Sequence, residues 1–466
     1  MKFSAKFPRR LWWLLPFALV AVVGWGVACS PSVPRYSFPT PPILIFDIDT
    51  LRADHLGCYG YERDTSPHID RFSAEAALFE WVFSQGPNTP PSQASILTAL
   101  YPTSHGRIDH DDALPEEAET LAELLTDAGY RSAALVDGGL MAAGFGMEQG
   151  FESYDDEAGG LEKIGPKMLD WLDAHLTDPE RQDEPFFLFV HTYDVHSPYE
   201  VTPWRFRQRY VDEVEEKPSE EYRGNMSKFM ADTWNARYQP EAPQLSEAEL
   251  DWAIAMYDGG IRHVDDWFSR LRQSLEAHGV WDEMIIAIIS DHGDTFQEHD
   301  TLFHEQIYTP VARIPMLIRF PEGRHAGVYS DVVESIDLMP TLLDAVGVSA
   351  PAKIHGQNLR PVMEGEAGDG IAITESPYRG RRLAAANRRV RLLHTKKTGE
   401  SELFRYRDDP LEMRDVIWEY PQESARLLDA LERWEQRVNA YQFPKRSSEP
   451  LDAETIEQLK TLGYID

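Results

Sequence analysis

Two cysteines in 466 residues, Cys29 and Cys58, are too few for a disulfide framework, so covalent cross-links are not what stabilises this chain. Basic charge is also scarce: 45 Lys and Arg stand against 78 Asp and Glu, a formal net charge of −33. No basic stripe interrupts that excess, which disfavours nucleic acid as a partner. Long apolar runs are missing after residue 28, and neither a repeat nor a low-complexity tract stands out beyond one proline-rich stretch. What is present is an ordinary globular composition, 42% hydrophobic and 26% charged. The length favours one large domain with a smaller one beside it.

The N-terminus stands apart. Lys2, Lys6, Arg9 and Arg10 precede the apolar run Leu11–Ala28, the pattern of an export signal over residues 1–28. Gly26-Val27-Ala28-Cys29-Ser30 resembles a bacterial lipobox, which would make Cys29 a lipid attachment site, although Gly26 departs from the usual leucine-like residue. An uncleaved anchor, from a run at the short end for spanning, and ordinary cleavage are the other two readings. All three put the body of the protein outside the cytoplasm, and the first two tether it to a membrane of the bacterial cell envelope. Residues 29–42 are proline-rich and extend on the order of 40 Å as a polyproline-type tether.

From residue 43 onwards, short apolar runs alternate with helical patterns. Ile43–Ile48, Leu78–Ser84, Arg131–Val136, Pro185–Val190, Met284–Ile289 and Pro315–Phe320 read as strands. Helices are expected over Asp64–Ala77, Glu116–Ala128, Leu161–Leu176, a long stretch from Ser246, and Ile336–Val346. That alternation predicts an α/β fold with a mostly parallel central sheet flanked by helices over residues 43–350. Residues 199–245 lack periodicity and read as an insertion. Ile371–Thr374, Arg382–His394 and Glu402–Arg407 read as antiparallel strands, with helices over Pro421–Ala440 and Ala453–Leu462. Together they predict a small α+β subdomain over residues 351–466.

Polar loops at strand ends are where such folds place ligands. Asp49 follows the first strand, and Asp291 and His292 follow the most apolar one. Thr89-Pro90-Pro91-Ser92 reads as a tight loop opening a short amphipathic helix, with Pro91 suited to its first turn and free N–H groups there attracting anions. Two carboxylates, an imidazole and a hydroxyl suit one divalent ion, Mn²⁺, Zn²⁺, Ca²⁺ or Mg²⁺, rather than a thiolate-seeking metal.

Ile48-Asp49-Thr50-Leu51-Arg52-Ala53-Asp54-His55-Leu56-Gly57-Cys58-Tyr59-Gly60 closely resembles the N-terminal signature of sulfatase-like proteins of the alkaline phosphatase superfamily. Thr65-Ser66-Pro67-His68-Ile69-Asp70, Ser290-Asp291-His292-Gly293-Asp294 and the His191–Pro198 loop resemble that group's further motifs in the same order. Glu402-Leu403-Phe404, Asp409-Pro410 and the closing Leu459–Asp466 resemble its C-terminal subdomain. The resemblance implies an alkaline-phosphatase-like fold, Thr89 at the nucleophile position, and Asp49, Thr89, Asp291 and His292 around one metal. It makes His196 and His304 catalytic groups that hold the substrate's oxygens. His304 would assist the leaving oxygen through an imidazole of near-neutral pKa. His191, Asp194, His299 and Arg52 become supporting candidates, and the role of His105 stays open.

Four departures matter. Sulfatases convert a cysteine or serine at that position to formylglycine, and a threonine cannot become the same aldehyde hydrate. Gln93 replaces the group's arginine, and Thr50 stands where many arylsulfatases carry a second aspartate. A lysine–histidine pair those enzymes use would fall near Asp137-Gly138-Gly139, and it is absent. The expected activity is therefore hydrolysis or transfer at phosphate mono- or diester, phosphonate or sulfate ester bonds, with phosphoryl chemistry favoured. The substrate would be a small molecule, a lipid headgroup or a glycan. A sulfuric ester hydrolase without formylglycine is one alternative. A catalytically silent lipoprotein binding sulfated or phosphorylated glycans is another.

Overall fold

Residues 36, 38–216, 245–304, 306–366, 368, 370–462 and 464 are described by a computed structural model. The expected export signal, Cys29 and most of the tether therefore lie outside the described residues, as do positions 217–244 of the expected insertion. No helix among the described residues is long and apolar enough to cross a membrane.

The central sheet has eight strands: β1 (Ile43–Ile48), β2 (Ala77–Phe83), β3 (Arg131–Leu135), β4 (Ser153–Asp155), β5 (Phe186–Thr192), β6 (Ile285–Ile289), β7 (Arg313–Arg319) and β8 (Gly327–Glu334). Their order across the sheet is β8-β2-β7-β6-β1-β5-β3-β4. β7 runs antiparallel to both neighbours, and the remaining pairs are parallel. Parallel neighbours need a crossover, whereas an antiparallel neighbour can be reached by a loop on the same edge. The β6-to-β7 connection, residues 290–312, therefore stays at the C-terminal edge of β6. β8 carries no sequence signal strong enough to have been expected: its first half is largely exposed, and only Val332–Glu334 are buried.

β1 is buried along its whole length and shows how the layers form. Leu44, Phe46 and Ile48 pack with Val264, Phe268 and Leu271 of the long helix on one face. Ile43 and Ile45 pack on the other face with Ile96, Leu97, Leu338 and Leu342. The flanking helices are α1 (Pro67–Ser73), α2 (Thr89–Thr98), α3 (Leu121–Asp127), α4 (Leu161–Thr177), α5 (Trp204–Glu213), α6 (Glu247–His278) and α7 (Leu338–Ala345). α6 starts at a capping box, Ser246 with Glu249, which satisfies two backbone donors reciprocally.

Several local expectations change. α1 is shorter than expected because Ala77 already belongs to β2. Part of the expected insertion, Trp204–Glu213, is the regular helix α5, packed on α6 through Tyr210 and Val211. The segment Arg382–His394 is not one strand but two, β10 (Arg382–Ala386) and β11 (Arg391–Thr395). They are joined by a turn in which Asn387 Oδ1 accepts from the backbone of Arg389 and Val390. With β9 (Ala372–Ser376) and β12 (Ser401–Phe404) they form a four-stranded antiparallel sheet in the order β9-β10-β11-β12. Helix α8 (Pro421–Asn439) covers it through Leu427, Leu431 and Trp434, and α9 (Ala453–Thr461) returns to the central sheet through Leu459.

Candidate active site

The site begins with a match of two spacings. Asp47 and Asp49 are two residues apart at the end of β1, so their side chains leave the same face, the one covered by α2. That spacing is about 6.6 Å along a strand, and four residues of helix rise about 6 Å. Thr89 and Gln93, four apart on α2, meet the two aspartates in register. Thr89 Oγ1 lies 3.1 Å from Asp49 Oδ2, and Gln93 Nε2 donates to Asp47 Oδ2 at 2.5 Å. Thr89 is not on a loop, as the sequence suggested, but is the first residue of α2, after Asn88 at its N-cap. The helix is not amphipathic either, since all ten of its residues are buried. Its polar side chains face the sheet edge rather than water.

β6 and β5 flank β1 and bring the other groups. Asp291 Oδ1 accepts from the backbone N–H of Thr50 and His292, at 3.2 and 2.8 Å. His292 Nδ1 donates to Gly293 O, which leaves Nε2 as a lone pair 3.3 Å from Asp291 Oδ2 and 3.5 Å from Thr89 Oγ1. One ligand atom each from Asp49, Asp291 and His292 lies within 4.8 Å of the others. The Asp49 Oδ1, Asp291 Oδ2 and Asp47 Oδ1 atoms are buried without a hydrogen-bond partner. Among the described residues, no Lys or Arg ion pair reaches any of the three carboxylates. Buried carboxylates without a counter-charge are strongly disfavoured. Burial, then the neighbouring Asp291, accordingly pushes Asp47 and Asp49 well above the ordinary carboxylate range. A divalent cation held by oxygen and nitrogen donors fits this set.

His191 is the last-but-one residue of β5, not a loop residue, and sits opposite Asp47 with its Nε2 3.4 Å from Asp49 Oδ2. Burial, then His292, lowers its pKa to about 3. His196 and His304 meet over the site with ring centroids 5.3 Å apart, and His304 lies 4.5 Å from the His292 ring. The near-neutral imidazole expected of His304 is not what this structure holds. Burial and His292 push it well below its usual value, and burial with His304 takes His196 to about 3. Both rings are neutral before an anion arrives.

The remaining candidates are placed elsewhere. Asp194 is tied to His263 at 2.8 Å, to Thr192 and to the N-terminus of α4, so it braces the loop that carries His196. Arg52 is held by Asp54 and Glu298 and donates to Asp294 O, which orders the loop beyond His292. His299 is not drawn to the site: it stacks on Tyr308 at 3.5 Å and bonds Leu411 O. His105 bonds Ser95 and Pro91 O beneath α2, a packing role. Thr50 takes a left-handed backbone conformation (φ 58°), and its carbonyl accepts from Tyr257 at 2.7 Å.

Asp47 and Tyr464 were not singled out from the sequence. Asp47 was detectable, because a carboxylate two residues before Asp49 in a strand must share its face. Tyr464 gave no such signal. Its hydroxyl lies 2.9 Å from His196 Nε2 and 3.4 Å from Thr89 Oγ1, across a sequence separation that no local pattern encodes.

Residues 41–348 match the Sulfatase family model, and residues 297–437 match the model of the N-sulphoglucosamine sulphohydrolase C-terminal region. An arylsulfatase of Clostridium perfringens (strain 13 / Type A) is 26% identical, over 81% of this chain and 90% of the relative. Among solved structures, the phosphonate monoester hydrolase of Agrobacterium radiobacter superposes with a TM-score of 0.68 at 19% identity, over 88% of this chain and all of that one. A protein solved in complex with its substrate D-glucosamine-2-N,6-O-disulfate gives a TM-score of 0.69 at 20% identity, over 86% of this chain and 98% of its own. These likenesses are to the fold, and they span both sulfatase and phosphonate hydrolase proteins.

Proposed function

The chain belongs to the sulfatase family, and from that premise we propose that it is a metal-dependent esterase whose nucleophile is Thr89, acting on phosphate mono- or diesters or phosphonates in preference to sulfate esters. One observation carries the reading: Thr89 Oγ1 is buried at the corner of the Asp49, Asp291 and His292 group, with its hydroxyl directed at Asp49. A threonine there keeps its own oxygen as the attacking atom, because the aldehyde hydrate of formylglycine is closed to it.

When bound by Asp49, Asp291, His292 and Thr89, a divalent ion would supply the positive charge that lowers the hydroxyl's pKa and offsets the substrate's charge. Thr89 Oγ attacks the phosphorus atom, its proton passing to Asp49. The bond from phosphorus to the alcohol oxygen breaks as the Thr89 Oγ–P bond forms. An anionic substrate gives His304 and His196 the counter-charge they need to take up a proton each; so protonated, both donate to the transferred group's oxygens, and His304 can pass its proton to the leaving alcohol. Water, or an acceptor alcohol in a transfer, then attacks phosphorus as its proton passes to His304, and the Thr89 Oγ–P bond breaks as Thr89 Oγ takes back the proton held by Asp49. Residues 1–42 support an exported enzyme, tethered through Cys29 or an anchor, and mass spectrometry of the mature N-terminus tests that placement.

The C. perfringens relative favours a second reading, sulfate ester hydrolysis with the same threonine. Purified protein offered aryl phosphate, diaryl phosphate, aryl phosphonate and aryl sulfate separates the two. The proposal expects turnover of a phosphorus ester that vanishes in Thr89→Ala. Turnover of aryl sulfate alone, lost in that variant, would establish the second reading instead, and turnover undiminished in that variant would sink Thr89 as the nucleophile.

A further inference from the structure

The C-terminal tail enters the site, and its seat is built for it. Helix α9 is capped by Asp452, whose side chain accepts from Thr455 N. Gln458 of that helix accepts from Gly139 N at 2.6 Å and donates to Asp137 O, so one side chain clamps α9 to the end of β3. Gly138 and Gly139 both have φ 56°. A side chain on Gly138 would collide with Gln458, and one on Gly139 would press on Leu462 and Tyr193. With no side chain at either glycine, the space goes to the helix that delivers Tyr464.

Past α9 the backbone N–H of Tyr464 donates to Leu459 O at 2.8 Å, which turns the chain back over the site. The ring is buried, edge-on to His110 at 4.9 Å and tilted against His196. His196 Nδ1 faces the Ser197 carbonyl at 2.5 Å, so Nδ1 carries the hydrogen and Nε2 offers a lone pair. In the substrate-free site Tyr464 therefore donates its hydrogen to His196 Nε2. A phenolic O–H turns freely about its C–O bond, and this one lies 3.4 Å from the atom that would bond phosphorus.

We propose that Tyr464 is a catalytic residue supplied by the C-terminal segment, its hydroxyl swinging from His196 to donate a hydrogen bond to a non-bridging oxygen of the group carried by Thr89. The inference rests on Thr89 being the nucleophile. No proton is transferred and no bond is made by Tyr464. It stabilises charge that grows on that oxygen as phosphorus becomes five-coordinate.

The test is Tyr464→Phe in the full chain, which keeps the ring and removes the hydroxyl, assayed with whichever phosphorus ester the wild-type protein turns over. Loss of one such donor is expected to lower kcat on the order of 10²-fold, with KM, divalent metal content and thermal midpoint little changed. Gln458→Ala, which loosens the seat without touching the hydroxyl, should lower kcat in the same direction by less. An unchanged or raised kcat in Tyr464→Phe, or activation by ending the chain after Leu462, would show the phenol to be idle or a plug and overturn the proposal. Thr89→Ala is the control that keeps the two readings apart. If it stays active, the nucleophile assignment falls and Tyr464 falls with it. If it is silent while Tyr464→Phe is unimpaired, only the role of Tyr464 falls.

Discussion

Arg391, which opens β11 of the antiparallel sheet, with its partner Glu412, and Asp47, Asp49 and Asp291, at the edge of the central sheet, are all fully buried, yet they meet burial on opposite terms. Arg391 Nη1 reaches both Glu412 oxygens, at 3.2 and 2.9 Å, and Glu412 Oε2 also accepts from Thr309 N at 2.8 Å. The other guanidinium nitrogen donates to Ile307 O, and the cation lies 5.1 Å from the Phe83 ring. Charge and hydrogen bonds both close within the protein. The three aspartates have like charges as neighbours, unpartnered oxygens, and one glutamine and one threonine as side-chain donors. A fold that satisfies one buried carboxylate so completely, while leaving three others short of a cation, has kept the second group for something that arrives from solution. The satisfied pair also anchors residues 307–309, just past His304, so its packing supports the site that lacks such balance.

The strongest way to break the comparison is to remove Asp291. Asp291→Ala is expected to strip the divalent ion from the protein and to lower turnover by at least the order of 10³-fold, read by elemental analysis and the same ester assay. Retained stoichiometric metal would mean that the cation sits elsewhere. Next in size is Glu412→Gln. Removing one partner of a buried ion pair costs about 3–5 kcal/mol, so the denaturant midpoint should fall sharply while metal content stays at the wild-type level. If that variant loses its metal in the folded state, the two regions are not separate devices.

The comparison also marks what the sequence could show. Strand–helix alternation is legible because β1, β5 and β6 are short apolar runs ended by polar residues, which assigns Asp49, Asp291 and His292 to one edge from sequence alone. His191 was misread as a loop residue because a histidine ends the apolar run of β5 by composition but not by geometry. Helix α2 was misread as amphipathic because Thr89, Ser92, Gln93 and Ser95 are polar, and only the assembled sheet edge gives them buried partners. β8 was invisible because half of it is exposed, and His299, a supporting candidate by resemblance, is held instead by Tyr308 and Leu411 O. Tyr464 is the extreme case: its contact spans 375 residues to Thr89, and nothing local encodes it.

A smaller effect concerns Asp47, which the reading from sequence passed over. In the metal-free protein its charge faces Asp291, while Gln93 is its one side-chain donor. Asp47→Asn should therefore raise the thermal stability of metal-free protein, by about 1 kcal/mol from relief of like charge, and leave the Arg391–Glu412 region unaffected. Metal-loaded protein should gain less, because the cation already offsets the repulsion.

The smallest effect is the pH slope that goes with it, and its sign is fixed by the direction of the shifts. Asp47 and Asp49 bind protons more tightly folded than unfolded, since burial and Asp291 raise their pKa values. In the window above the unfolded value, near ~3.9, the folded state holds more protons than the unfolded state, so stability declines as pH rises. The contribution is fully present below that value and is lost as pH passes through the raised folded values. Denaturant unfolding of chelator-treated protein across pH 4 to 8 reads this directly. His191, His196 and His105, each taken to about 3 by burial, work in the other direction. They add stability as pH rises from about 3 to the ordinary histidine value near ~6.5. The carboxylate term is therefore isolated as the difference between wild type and Asp47→Asn, which share those histidines. That difference should widen with pH in metal-free protein and shrink when the divalent ion is restored. A difference independent of pH would mean that Asp47 is no more costly to ionise in the fold than out of it.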